Sequence, residues 1–146
     1  MEPFITPFCA YPDYKEANEV ENPLITLNTE GLELLQSAMA AALIQTAESI
    51  LARERSDAVI PMDTGRLQNI QTYVDSTGAS QGIVAIVTDA PQAARLYFHP
   101  NFHFRQDKNT NARGEWWEPW ISGNHRTEPT SLFTALLKQH AKEILL

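Results

Sequence analysis

The chain has 146 residues, 43% of them hydrophobic and 20% charged, with one cysteine and a formal net charge of −7. That length fits one domain, and the composition excludes wholesale disorder and fibrous repeats. The acidic balance argues against a phosphate-backbone binder built on clustered cations, and a lone Cys9 excludes both an intrachain disulfide and a thiolate zinc cage. The longest uninterrupted apolar run, Ala38 to Ile44, falls short of the ~20 residues that span a bilayer. The Met1-Glu2-Pro3 start has neither a basic segment nor an apolar leader. A soluble protein of a reducing compartment, without membrane contact, is the expectation.

Residues 1–28 read as an extended arm. Pro3, Pro7, Pro12 and Pro23 remove backbone donors and bias their neighbours toward extended conformations. Phe4, Ile5, Phe8, Tyr11 and Tyr14 make the arm too apolar for a solvated tail. Such an arm needs a surface, either its own domain or a neighbouring subunit. Residues 29–146 read as a single α+β domain.

A long helix opens that domain. Leu32, Leu35, Met39, Leu43, Thr46 and Ile50 recur at helical spacing, Asn28 or Thr29 suits the N-cap, and Glu30 suits the positive end. Ala38, Ala40, Ala41 and Ala42 leave a thin face that another backbone can approach. Glu48, Arg53, Glu54 and Arg55 read as a solvated face, and Pro61 stops the helix. Asp63-Thr64-Gly65-Arg66-Leu67 then starts a short helical turn, with Asp63 or Thr64 as its cap and Leu67 inward.

A hairpin follows, with strands around Thr72–Val74 and Ile83–Val87 and turn residues Ser76-Thr77-Gly78. The second strand is apolar almost throughout, which predicts burial on both faces. Gln92 to Phe98 suits a short helix or bend. Residues 99–128 form a long irregular stretch rich in aromatics. A last helix from Pro129 carries the stripe Leu132, Phe133, Leu136, Leu137, His140 and Ile144. The expected architecture is α+β: a long N-terminal helix and a C-terminal helix on a small antiparallel sheet, with a long aromatic loop and an extended N-terminal arm.

No residue set marks catalysis. His99 and His103 have helical ligand spacing, but Pro100 lies between them and no carboxylate stands at a matching offset. Cys9 has no sequence-visible activating partner. The scattered carboxylates do not pair for acid–base work. No catalytic residue, metal or cofactor is therefore expected. Two clusters remain. One is the corner Pro61, Asp63, Thr64, Gly65, Arg66 and Leu67. The other is an aromatic loop with Phe102, Phe104, Arg105, Arg113, Trp116, Trp117 and Trp120. Indoles bury large areas and need partners for their N–H groups, so they favour interfaces and core edges. Together with Phe4, Phe8 and Tyr11 of the arm, the loop residues are candidates for contacts with other subunits. A loop folded onto its own core, and a sugar-stacking surface, are the alternatives.

The order of these segments carries a resemblance. Ile60-Pro61-Met62-Asp63-Thr64-Gly65-Arg66-Leu67 comes first and a hairpin follows. Then come Ala93-Ala94-Arg95-Leu96-Tyr97-Phe98, Asn101-Phe102-His103-Phe104 and Glu115-Trp116-Trp117-Glu118-Pro119-Trp120. Over roughly residues 30–146 this order resembles tailed-phage minor capsid proteins and tail components, which are similar to the neck and tail-completion proteins of siphophages. The arm has no counterpart there, and Asn69-Ile70 stands where Ser-Ile is expected.

The resemblance implies a non-enzymatic virion part at the head–tail junction, made in the host cytoplasm. It implies a ring of identical subunits, six-fold or alternatively twelve-fold. The ring would touch neighbouring neck, stopper or tail-terminator proteins. Double-stranded DNA would pass through without specific binding, and acidic walls would suit that passage. A non-virion protein-binding module acting through the aromatic loop is the runner-up, and a small metal-dependent enzyme comes after it.

Overall fold

A computed structural model describes residues 26–145 of the chain. The arm, including Phe4, Phe8 and Tyr11, lies outside the described residues.

Helix α1 spans Thr29–Ser56. Asn28 caps it: the side-chain Oδ1 accepts the Gly31 N–H at 2.9 Å, with Glu30 in the first turn and Arg53 and Arg55 in the last. The helix ends before Pro61, through a turn in which Ala58 adopts a left-handed φ of 53°. By length and composition alone α1 is apolar enough to cross a bilayer, with a mean hydropathy of 1.2 over 18 residues. Counting only uninterrupted apolar residues missed this, because Gln45, Thr46 and Ser49 break the run without adding charge.

The covered face of α1 is not the leucine row. Ala38, Ala42, Thr46, Ala47, Leu51 and Glu54 are buried. The small residues let neighbouring backbone come close: a 3-10 turn, Ala79–Gln81, packs on the helix, and the Gln36 amide donates to the Ser80 carbonyl at 2.9 Å. Leu43 and Ile50 are half-buried. Leu32, Leu35 and Met39 stay 51%, 44% and 41% exposed.

The corner follows. Gly65, at φ 82°, is the residue that enters helix α2, Arg66–Asn69, and no side chain caps it. This corrects the expectation of an Asp63 or Thr64 cap. A left-handed φ is strained for any residue with a Cβ, and a Cβ at Gly65 would also sit 3.1 Å from Asn69 and from Met62. Leu67 points inward as expected.

Strands β1, Thr72–Asp75, and β2, Ala85–Thr88, form a two-stranded antiparallel sheet with Thr72 opposite Thr88 and Asp75 opposite Ala85. Asp75 accepts the Thr77 N–H at 3.0 Å, which starts the connecting turn. Thr72 is fully buried, and its hydroxyl donates to the Leu67 carbonyl at 2.7 Å. That bond ties the sheet to the corner. The expected two-faced burial of the second strand does not occur: Ala85 is exposed, and Ile86, Val87 and Thr88 are half-buried. A ribbon of two strands has only one face against α1, so the other meets solvent.

Helix α3, Ala93–Tyr97, and a four-residue helix α4, Glu118–Ile121, punctuate the rest. Helix α5, Glu128–Leu145, returns along α1. Arg53 pairs with Glu128 at one end, and His140 reaches Gln45 at 3.0 Å further along, so the two helices run antiparallel. This α1–α5 contact is the most extensive between elements. The last described residue of α5, Leu145, lies roughly a turn and a half past His140. The protein is an α+β fold of a long N-terminal helix, a C-terminal helix and a small antiparallel sheet.

Candidate assembly surface

The core is compact and lies at the foot of α1. Val59, Ile60, Leu67, Ala93 and Trp116 form it, with Ala90, Leu96, Tyr97 and Trp117 packed around. The corner and the aromatic loop, more than 40 residues apart in sequence, meet here. Arg113 N–H donates to the Val59 carbonyl at 3.0 Å, and the Asn109 amide donates to the Ile60 carbonyl at 2.7 Å and to the Gln68 side chain. Arg105 donates to Asp63 at 2.8 Å and to Asp107, and Lys108 reaches the Asp63 carbonyl. Asn111 closes the clamp on the Asp57 carbonyl at 2.9 Å. The Arg105 bond holds the Asp107 carboxyl below its usual range, and both carboxylates hold the Arg105 guanidinium charged.

The indoles face inward. Trp116 is 1% exposed and stands edge-on to Tyr97 at 4.9 Å. It is a core residue, which corrects its reading as a contact for other subunits. Its flat ring fills the gap between the corner and α3, the largest apolar volume the loop supplies. Trp117 is half-buried against the same core. Trp120 is half-buried, and its N–H donates to Glu54 at 2.7 Å. Arg53 stacks over the Trp120 ring at 5.5 Å, and His125 lies 4.9 Å from it.

Glu54 was missed by sequence reading, which assigned it to the solvated face. It is 2% exposed. Burial raises its carboxyl above the ordinary range, and the Trp120 bond offsets part of that rise. Its second oxygen has no hydrogen-bond partner. The signal was present: Ala47, Leu51 and Glu54 follow one another at steps of four and three, the spacing of the buried face. Arg55 is likewise no free surface charge, since it donates to the Gln68 and Thr72 carbonyls.

The large apolar side chains that face outward are mostly aliphatic or phenyl. Phe98 is 70% exposed and Phe102 is 37% exposed. Phe102 stacks on His99 at 5.0 Å, with Arg95 over its other side at 5.7 Å. Phe104 is half-buried beside it. Arg66, Arg105 and Arg113 are exposed, as are Asp63 and Thr64; Pro61 is half-buried. An open cleft separates corner and loop, lined by Met62, Arg66, Gln71, Leu96, His103 and Phe104. The front of α1 adds Leu32, Leu35 and Met39, and Ile83 and Ile121 stand out elsewhere. His99 is engaged with the Arg95 carbonyl, and among the described residues no three His, Cys, Asp or Glu side chains gather as a metal site.

These features define an α+β protein whose aromatic loop is clamped to a glycine corner and whose aliphatic surface is left open. No protein-family model, curated protein or solved structure matches the chain.

Proposed function

We propose that this chain is a structural virion protein of a tailed phage, part of the head–tail connector that joins capsid to tail. One observation carries the assembly half of the reading: large apolar side chains stand on the surface in groups, foremost Leu32, Leu35 and Met39 along one face of α1. Contiguous apolar surface of this kind marks contacts between chains. The connector half rests on the ordered motifs of the sequence. Two of these motifs, the corner and the aromatic loop, are clamped together by hydrogen bonds.

The subunits would close a ring, six-fold or twelve-fold, through two unlike patches, as head-to-tail contacts require. The front of α1 and the Phe98–Phe102 edge are the patches on offer. Neck, stopper or tail-terminator proteins would stack on the ring, and the net charge of −7 would let DNA slide through without sticking. No reaction is assigned to the molecule.

The second reading, a binding module outside any virion, draws on the same exposed Phe98 and Phe102. Labelling this subunit in purified phage particles separates the two. Signal confined to the head–tail junction supports the connector. A particle that lacks the subunit contradicts it.

A further inference from the structure

The two edges of the hairpin differ. The Asp89 N–H donates to the Gln71 carbonyl at 2.7 Å, which sets the phase of the ladder at a hydrogen-bonded position, while the Gln71 N–H itself donates to the Arg66 carbonyl at 2.8 Å. Hydrogen-bonded positions alternate along an antiparallel ladder. With the observed register, Tyr73–Val87 and Asp75–Ala85 are the bonded pairs, and the backbone groups of Ile86 and Thr88 point away from β1. The same alternation turns the Thr72 carbonyl outward on the far edge of β1. There Arg55, at the end of α1, donates to it at 2.9 Å.

One edge is therefore capped at the Thr72 carbonyl. On the other, among the described residues, no hydrogen bond reaches the backbone of Ile86 or Thr88. An uncapped edge is a template for a further strand. Two four-residue strands are also a marginal sheet in water.

We propose that the open edge of β2 pairs with the same edge of a second copy, antiparallel about a two-fold axis at Ile86. The result is a four-stranded sheet shared by two subunits. Three observations select a second copy. On the β1 edge of any copy the Thr72 carbonyl is already engaged by Arg55, so the β2 edge is the more open one it can offer. The stretch Gly82 to Thr88 carries no charge. In this register Ile86 faces Ile86, Val84 faces Thr88, and Ile83 faces Asp89 of the second copy, so no like charges meet. The contact is isologous, the same patch on both sides. It stands independently of any role in a virion.

Ile83 tests the register, because at 63% exposed it can change without disturbing the fold. Ile83→Asp sets two aspartates opposite each other at both ends of the shared ladder and should weaken the dimer on the order of tenfold. Ile83→Lys sets opposite charges there and should leave association at least as strong as in the unmodified chain. Amide exchange followed by NMR reads the backbone itself. Ile86 and Thr88 should exchange slowly in concentrated full-length protein and fast on dilution, while Ala85 and Val87 should not depend on concentration. The proposal is overturned if the two Ile83 variants associate alike. It is equally overturned if Ile86 and Thr88 exchange at a rate independent of concentration.

Discussion

The foot of α1 and its front use the same helix in opposite ways. At the foot, Leu51, Glu54 and Arg55 are enclosed by corner, loop and α5, and Trp120 supplies the hydrogen bond that a buried carboxylate needs. At the front, Leu32, Leu35 and Met39 remain substantially exposed. The lower half of α1 is buried within the chain's own fold, whereas the front leaves large apolar side chains exposed. Substitutions at the two ends should separate folding from association.

The largest effect belongs to the foot. Trp116→Ala removes the biggest buried side chain and should cost about 3–5 kcal/mol, read as a lower midpoint in denaturant. Leu35→Ser at the front should shift that midpoint by less than about 1 kcal/mol. Equal losses at the two sites would erase the distinction between the halves.

The corner comes next. Gly65→Ala forces a side chain into a left-handed φ of 82° and should cost roughly 1–2 kcal/mol, measurable as a lower Tm. An unchanged Tm would mean the corner adapts and does not hold the loop.

A smaller, pH-dependent effect sharpens the picture of Glu54. Its folded carboxyl titrates above its ordinary value because of burial. The folded state therefore binds the proton more tightly, and Glu54 adds stability that is complete below the ordinary carboxylate range. That contribution fades as pH rises through the raised value. Glu54→Gln keeps an acceptor for Trp120 and should flatten this fall, so the variant gains on the parent as pH increases. Asp107 and Glu128 act with the opposite sign. Arg105 holds the first below its ordinary range, and His125, followed by Arg53, holds the second there. Their contributions are present above that range and lost on acidification. Thermal melts of parent and Glu54→Gln across the acidic range read both trends. Smallest of all, Arg105→Ala breaks only exposed ion pairs and should lower Tm only slightly, a difference that disappears on acidification.

Much of the architecture was legible in the sequence. Periodicity located α1, α5 and the hairpin, and Gly65 with Leu67 located the corner. What periodicity could not supply was which elements would reach which face. The alanines at 38 and 42 are buried because a 3-10 turn fits against small side chains, while the larger Met39, one position on, remains open. The same limit applies to the loop. Aromatic content predicted that its rings would be buried against something, but not that Trp116 would close its own core and leave Phe98 to the outside. Strand β2 is composed like a central strand yet has one neighbour among the described residues, and composition cannot count neighbours.

Sedimentation velocity of the full chain beside a Leu32→Ser, Leu35→Ser, Met39→Ser variant probes the front of α1 directly. The parent should sediment as an oligomer, and the variant should keep its circular dichroism and melting temperature but fall to a lower mass. A parent that stays monomeric at every concentration, or a variant with the parent's mass, would contradict contact through the front of α1.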